Sequence, residues 1–226
     1  MALLGTAALA MWWDLTPGML GEFEDWHSHE HFPERLAIPG FLRASRWTDA
    51  DGGDGIFVMY ELASYDVLSS PAYLARLNTP TPWSTRMMPH HRNMVRSQCR
   101  VLESRGSATS RRSLTVRLSP APGCDTLLRQ NLKAQIGRLF DQPGLTGVHL
   151  LQHETPAIAQ TTEQRIRGGD RFADWVLVAC GYDGERVSAL ADDEWSDARL
   201  VSLGAAPGRQ AARHALSHTA TPGDMA

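Results

Sequence analysis

The sequence predicts an α+β protein made of two tandem β-α-β-β-α-β modules, and three observations support this. Stretches with strand periodicity and stretches with helix periodicity follow the same order in both halves of the chain. The first helix of each half ends at a similar corner, Ile38-Pro-Gly-Phe41 and Gln142-Pro-Gly-Leu145. A Ser- and Arg-rich stretch lies between the halves, as is typical of a linker. We therefore predict a first module at residues 1–103, a linker at 104–113 and a second module at 114–226.

The first module is predicted to begin with a strand at Thr6–Leu15, which is apolar on both faces and is therefore typical of a strand covered on both sides. A helix follows, capped by Thr16 with Pro17 at its first position, and it ends at Pro39. The other elements follow from β-branched residues, turn residues and apolar periodicity. They are strands at Phe41–Asp49, Ile56–Ala63 and about Asn93–Leu102, a hairpin turn at Asp51–Gly55, a helix at about Tyr65–Leu77 and a Pro-rich loop at Thr79–Trp83.

The second module repeats this order less clearly. Its first helix, Cys124–Phe140, is amphipathic, with leucines and an isoleucine along one side. The tail from Ala205 is rich in Ala, Gly and Pro, so we expect it to continue as an edge strand or to fray. The remaining predicted elements are strands at Leu114–Leu118, Thr146–His153 and Phe172–Cys180, a short helix at about Gly184–Glu194 and a last strand after Arg199.

Composition narrows the class of protein. The 226 residues carry a formal net charge of -3, so no basic excess favours a nucleic-acid partner. The apolar opening lacks a positively charged start and is far shorter than the roughly 20 residues that span a bilayer, so we interpret it as a buried strand and expect no membrane partner. The three cysteines share no C-x-x-C spacing, and a cytoplasmic location is expected.

A histidine cluster in the first helix is the most informative feature of the chain. On an ideal helix Met19, Phe23 and Trp26 share one face, and the next positions on that face lie beside His27 and His31. The face of the helix that carries apolar side chains for two turns therefore carries titratable side chains in the next turn. Pro33 is expected to kink or restart the helix at that point.

These residue types can carry acid/base chemistry. Imidazole takes or gives a proton near neutral pH, so we predict His31 as the acid or base, with His27 or Glu30 orienting it. Arg35 would stabilise negative charge that develops on a substrate. The alternative is a solvated helix end, which is the interpretation that we favour for His29 because it points away from the apolar stripe.

The segment W-H-S-H-E-H-F-P-E-R-L-A-I-P-G-F-L-R, with the H-x-P element at His31-Phe32-Pro33, resembles the dimeric α+β barrel superfamily and, within it, the EthD-like proteins. The second half is similar only in its Pro-Gly corner and its order of elements. The resemblance implies that two ferredoxin-like modules pair their sheets into one barrel, here within one chain. Because fusion already supplies this pairing, further assembly into a homodimer is optional. The superfamily includes cofactor-free monooxygenases, isomerases, cyclases, dehydratases and haem enzymes, so the resemblance implies the fold more closely than the reaction.

Aromatic residues and a second histidine pair complete the predicted site. Trp12, Tyr60 and Trp83 can form a substrate-binding wall, and His90 and His91 precede the fourth strand at the mouth of the implied cavity. Core packing of the aromatic residues and surface placement of the histidines are the alternatives.

We therefore predict a cofactor-free acid/base enzyme of the lyase, cyclase or isomerase type, acting on a small apolar molecule with a carbonyl or phenolic group. The alternatives are an oxygenase, cofactor-free or haem-dependent, and a ligand-binding protein without activity. No nucleotide-binding or nucleophile-elbow motif is present in the sequence. His27 and His31 have metal-ligand spacing but no obvious third ligand except His90-His91, so no metal or other cofactor is predicted, and haem or a divalent metal is the alternative.

Overall fold

The computed structural model describes residues 3–225 and forms a closed antiparallel barrel. Each strand alternates side chains between the barrel interior and an outer face that is covered by helices. The strands are β1 (Ala7–Leu15), β2 (Phe41–Asp49), β3 (Gly55–Leu62), β4 (His91–Gly106), β5 (Arg112–Leu118), β6 (Leu145–His153), β7 (Trp175–Gly181) and β8 (Gln210–Ala220).

The order of strands around the barrel is β1-β3-β2-β8-β5-β7-β6-β4. Each module contributes four neighbouring strands in the same internal order, β4-β1-β3-β2 and β8-β5-β7-β6. The two half-barrels join where β2 pairs with β8 and where β4 pairs with β6. The predicted α+β class and the tandem arrangement are confirmed.

Helices cover the outer face of each half-barrel. No helix within residues 3–225 is both long and apolar enough to cross a membrane. The helices are α1 (Leu20–Trp26), α2 (Phe32–Leu36), α3 (Pro71–Asn78), α4 (Pro82–Met87), α5 (Asp125–Phe140), α6 (Thr162–Ile166), α7 (Gly184–Ala189) and α8 (Asp197–Ser202), with a π-helical turn at His27–His31 and 3₁₀ turns at Tyr65–Ser69, Met88–His90 and Pro222–Met225.

The first helix is widened at the histidine cluster. The N–H of Phe32 donates to the carbonyl of His27, five residues back, which is the π-helical pattern. Pro33 follows directly, and a proline has no N–H to donate and crowds the carbonyl four residues before it. The expected break at Pro33 therefore takes the form of one wide turn between α1 and α2, and this turn carries all three histidines of the cluster.

The glycine of the Pro-Gly corner makes the same kind of close contact in both modules. Gly40 and Gly144 have φ angles of 95° and 91°, a left-handed conformation that side chains disfavour. A Cβ at Gly40 would collide with the side chain of Val67, and one at Gly144 would lie 2.9 Å from the Cβ of Asp183. Each corner thus packs a glycine against the segment after the third strand of its own module, which supports a structural duplication.

Several predicted boundaries were wrong in the first module. The helix predicted at Tyr65–Leu77 is a 3₁₀ turn followed by α3, because Ser70 adopts an extended conformation and its hydroxyl caps Tyr73 N. The loop predicted at Thr79–Trp83 ends in a helix start, since Thr81 caps α4 by accepting a hydrogen bond from Ser84 N at 3.0 Å.

The linker and the tail also differ from expectation. β4 continues to Gly106 and β5 starts at Arg112, so only residues 107–111 connect the modules, and the linker predicted at 104–113 is too long. The strand expected after Arg199 is α8 instead. The tail predicted as a frayed or edge strand forms β8, which pairs with both β2 and β5 and closes the barrel.

Candidate active site

A small cavity lies between the outer face of the first module's sheet and its helices. Its volume is about 40 Å³. α6 of the second module also reaches it, through Glu163 and Arg167. The cavity is lined by Leu9, Met11, Trp13, Trp26, His27, His31, Arg35, Tyr60, Tyr73, Leu77, Met88, His91, Met94, Arg96, Glu163 and Arg167.

Two histidines of the widened turn face this cavity together. The rings of His27 and His31 stack with their centroids 5.4 Å apart, and the ring of Trp26 lies 4.5 Å from that of His31. Burial, followed by nearby arginines, lowers the pKa of both histidines well below the usual value. Both rings are therefore neutral at pH 7.

His91, the first residue of β4, is a third buried imidazole in the cavity wall. Its Nδ1 lies 3.1 Å from the carbonyl oxygen of Met88, and because a carbonyl only accepts, Nδ1 must donate. The neutral ring then has its lone pair on Nε2. Burial lowers the pKa of His91 to about 3, so the ring is uncharged at neutral pH. The backbone thus fixes the tautomer of this histidine.

A buried chain of charges closes the other side of the cavity. Arg35 Nη2 donates to Glu163 Oε1 at 2.5 Å, and both side chains are about 5% exposed or less. Burial alone would lower the pKa of Arg35, but the Glu163 carboxylate reverses this and raises it above the usual value. Arg167 continues the chain, with Nη1 3.6 Å from Glu163 Oε2 and Nη2 2.9 Å from Asp170 Oδ2. The second module therefore holds the first module's cationic group in place.

Five polar atoms in the cavity wall are buried and have no hydrogen-bond partner within the described part of the chain. Most buried polar groups in proteins are hydrogen-bonded, so such a concentration calls for an explanation. A ligand or water with both donors and acceptors would satisfy them. The atoms are Trp13 Nε1, His27 Nδ1, His31 Nδ1, Arg35 Nη1 and Tyr60 OH.

A larger surface depression, which we call the outer basin, adjoins this inner cavity. Its volume is about 540 Å³, and it shares His91, Met94 and Arg167 with the cavity. The flexible side chain of Met94 can move without breaking a hydrogen bond. The basin and the inner cavity thus share one wall, at His91, Met94 and Arg167. The other residues lining the basin are Pro89, Arg92, Asn93, Gly168, Gly169, Asp170 and Arg171.

The structure brings together five of the nine residues predicted for the site, namely His27, His31, Arg35, Tyr60 and His91. It places Trp12 in the barrel interior, on the face of β1 opposite Trp13. Trp83 packs against the core of the first module without lining the cavity, and His90 is half-buried outside it.

Glu30 does not orient the histidines as predicted. Its Oε1 accepts hydrogen bonds from Trp26 Nε1 at 3.1 Å, Thr81 Oγ1 at 2.5 Å and Ser84 Oγ at 3.3 Å. The wide turn rotates its carboxylate toward α4, away from the cavity. Glu30 therefore fixes the position of Trp26, which packs on His31, and its effect on the histidines is indirect.

Sequence reasoning missed the polar residues that approach from other elements. Arg96 donates to Tyr73 OH at 2.7 Å inside the cavity wall, and Glu163 lies on α6, which was not predicted at all. One signal for α6 was present, since Thr161 and Gln164 form a capping box at its start. Glu163 and Arg35 are 128 positions apart in the sequence, so no local sequence pattern predicts their contact.

The side chains and the size of the cavity limit which cofactors the site could hold. Within residues 3–225 no group of three or more His, Cys, Asp or Glu side chains could hold a metal ion. A porphyrin does not fit the inner cavity of about 40 Å³, since ligand pockets of that kind measure hundreds of Å³. The outer basin is large enough, but its wall is dominated by charged and polar side chains rather than the apolar surfaces that enclose ligands.

No sequence-family model and no curated protein sequence matches the chain. Solved structures do match over nearly the whole length. An anthrone oxidase-like protein aligns with a TM-score of 0.69 and 11% identity over 100% of this chain and 98% of its own.

Two proteins provisionally named as monooxygenases show the same similarity of fold. The one from Lactobacillus acidophilus has a TM-score of 0.62 and 6% identity, and covers 96% of this chain and 97% of its own. The one from Fusobacterium nucleatum subsp. nucleatum has a TM-score of 0.61 and 10% identity over 97% and 96%. The chain thus has the dimeric α+β barrel fold, with both ferredoxin-like modules in one polypeptide.

Proposed function

We propose that this chain is a cofactor-free enzyme that deprotonates a small aromatic molecule with a carbonyl or phenolic group and lets the resulting anion react with O₂. The observation that carries the proposal is the set of five unpartnered polar atoms around one cavity lined by neutral histidines and a buried arginine. Proton abstraction needs a base, a group that holds the anion, and a pocket that excludes water.

His91 is the proposed base. Its Nε2 carries the lone pair because Nδ1 donates to the Met88 carbonyl, and the ring lies where the outer basin meets the inner cavity. A low pKa makes a free imidazole a weak base. An anion forming beside it would stabilise the protonated ring, and this raises the pKa at the moment of transfer.

Arg35 is proposed to hold the negative charge on the substrate oxygen. Its Nη2 is bound by Glu163, and its Nη1 is buried and unpartnered. Tyr60 OH and His31 Nδ1 are two further unpartnered groups in this wall, and we assign His31 the role of the acid that hydrogen-bonds the oxygen. Donors placed before the reaction where charge develops are commonly the largest contribution to catalysis.

The anion can then reduce O₂ directly. For a methylene group activated by neighbouring aryl or carbonyl groups, the net reaction R₂CH₂ + O₂ → R₂C=O + H₂O balances, because the substrate supplies all four electrons. The similarity in fold to an anthrone oxidase-like protein and to proteins named as monooxygenases favours this use of the anion. A lyase, cyclase or isomerase would use the same deprotonation without O₂.

An oxygen electrode tests the proposal. Anthrone and a panel of aryl ketones with an activated methylene group should support O₂ uptake, and His91→Asn should lower the rate by roughly 100-fold. The matched control is His90→Asn, since His90 lies outside the cavity. Product formation at the same rate without O₂ would replace the oxygenase with the lyase or isomerase alternative. Saturable binding without turnover of any substrate would support the alternative of a ligand-binding protein without activity.

A further inference from the structure

A second polar depression lies far from the candidate active site, at one mouth of the barrel. It is formed where the β2–β3 turn, the start of β5, α7 and β8 meet, and its volume is about 590 Å³. We call it the barrel-mouth pocket. Its wall includes Arg111, Arg112, Ser113, Tyr182, Arg213 and His214, and none of its lining residues lines the inner cavity or the outer basin.

Two buried polar side chains at the base of this pocket have unused hydrogen-bonding atoms. Ser113 and His214 are 1% and 3% exposed. They face each other directly across the β5–β8 pair, so their side chains are neighbours on one face of the sheet. Neither Ser113 Oγ nor His214 Nδ1 has a partner among residues 3–225. An unmade bond of this kind is costly in a buried position, and two of them adjoin one pocket.

The neighbouring hydrogen bonds are compatible with a donor at the unused histidine atom. Trp12 Nε1, which can only donate, lies 3.1 Å from Thr115 Oγ1. Thr115 Oγ1 in turn lies 3.2 Å from His214 Nε2, and its hydroxyl hydrogen is free to donate to that nitrogen. In this arrangement the neutral ring has its hydrogen on Nδ1. Burial lowers the pKa of His214 to about 4, so the ring is neutral at pH 7.

The rim of the pocket adds cationic groups. Arg111 and Arg112 form no ion pair with any described residue, and Arg213 has only loose pairs, at 4.0 Å, with Asp51 and Asp192. Arginine presents a planar fork of donors that matches carboxylate and phosphate groups.

The acidic residues around the pocket are less available. Asp183 Oδ1 is already occupied by the N–H groups of Glu185 and Arg186, at 3.0 and 3.1 Å, because it caps α7. Asp51 lies on the exposed turn, with a side chain that is 77% exposed. Glu185, the third acidic residue in the wall, is exposed, as are Asp51 and Asp183. The buried base of the pocket therefore offers donors, and its acidic side chains are exposed.

We propose that the barrel-mouth pocket binds the carboxylate or phosphate group of a small organic anion, using Ser113, His214 and Arg112. This site is separate from the proposed oxygenase site, and its occupancy does not require that activity. The anionic group would complete the hydrogen bonds of Ser113 and His214, and the rest of the molecule would lie against Tyr182 at the rim.

Titration of the intact protein with inorganic phosphate and with acetate at constant ionic strength tests this. Saturable binding of either anion at one site, with a shift of the His214 ring N–H signal by NMR, is the expected result. Arg112→Met and Ser113→Ala should each weaken binding by roughly tenfold or more, since hydrogen bonds to charged groups contribute about that factor.

The controls separate the site from general charge attraction and from misfolding. Arg138→Met removes the same charge from an exposed position on α5 and should leave the affinity unchanged. Ser113→Ala deletes a hydroxyl that has no partner, so its unfolding temperature should not fall. Non-saturable binding, or equal weakening by Arg138→Met and Arg112→Met, would overturn the proposal.

Discussion

The two modules share one topology but use the space between sheet and helices in opposite ways. In the first, this space holds three histidines and Arg35 around a cavity. In the second, α5 is an unbroken helix of 16 residues, and its buried side fills the space with Leu128, Leu132 and Ile136 beside Trp195. The difference begins in the helix, because the second module has no counterpart of the widened turn.

Buried polar groups show the same contrast. Gln135 is the polar residue on the buried side of α5, and both ends of its amide are satisfied: Nε2 donates to Glu194 O at 3.0 Å, and Oε1 accepts from Trp195 Nε1 at 3.2 Å. Around the first module's cavity, five polar atoms remain without partners. A satisfied polar group is typical of a structural role, and a cluster of unsatisfied ones around one cavity is compatible with bound water or a ligand. Duplication of the fold has therefore not duplicated the site.

The modules nevertheless depend on each other. Glu163 of the second module is the ion-pair partner of Arg35 in the first, and β8 completes the sheet beside β2. The second module thus serves as a scaffold that positions Arg35.

The largest expected effect of a single substitution is at this contact. Arg35→Met leaves the Glu163 carboxylate buried and poorly paired, and breaking a buried pair costs about 3–5 kcal/mol of unfolding free energy. Urea unfolding measures it. The double variant Arg35→Met with Glu163→Gln removes the stranded charge and should recover a large part of the loss. A loss below about 1 kcal/mol in Arg35→Met would mean that the pair is exposed to solvent in solution.

The histidine cluster offers a matched pair for activity. His31→Gln should lower turnover by roughly 100-fold, the usual effect of losing one donor to a developing oxyanion. His29→Gln should have no effect, since His29 is exposed and bonds only to its own helix at Asp25 O. Steady-state rates on the best substrate of the panel decide this. Equal rates for the two variants would mean that the histidine cluster has no catalytic role and is only a polar segment of the helix.

The decrease in unfolding free energy at acidic pH provides a smaller test. The folded-state pKa of His91, about 3, lies below the unfolded value near 6.5, so its contribution is complete above pH 6.5 and is lost as the pH falls toward 3. Between about pH 6 and pH 5, each such histidine lowers the free energy of unfolding by about 1.4 kcal/mol per pH unit.

His91→Asn should reduce this slope by that amount, because Asn can donate to the Met88 carbonyl but does not titrate. His90→Asn is the control. Urea unfolding at the two pH values gives both slopes, and an unchanged slope in His91→Asn would show that His91 is hydrated in the folded state.

The local part of this structure could be predicted from the sequence, and the long-range part could not. Strand and helix periodicity, Pro33 and the Pro-Gly corners located β1 to β3, α5 and the break at the histidines, because these signals lie within a few neighbouring residues. The alternation of β1 even separated Trp12 from Trp13, but only the closed barrel shows that Trp12 faces the interior.

The failures share a physical cause. β8 has an alanine-rich sequence with weak strand propensity, and pairing with two neighbours stabilises it. Glu163 and Arg96 reach the cavity from elements distant in sequence, so their roles depend on tertiary contacts. Glu30 was misplaced because the prediction assumed 3.6 residues per turn at a point where the helix is wider.

The most direct test of the central claim, that the space between sheet and helices holds a ligand site in the first module and a filled core in the second, uses the indole N–H signals of the seven tryptophans. They can be assigned with Trp→Phe variants and followed by ¹⁵N NMR during titration with phenol and with anthrone. We expect the signals of Trp13 and Trp26, which line the cavity, to shift in a saturable way, while that of Trp195 does not move. A saturable shift of Trp195 with Trp13 and Trp26 unchanged would contradict it.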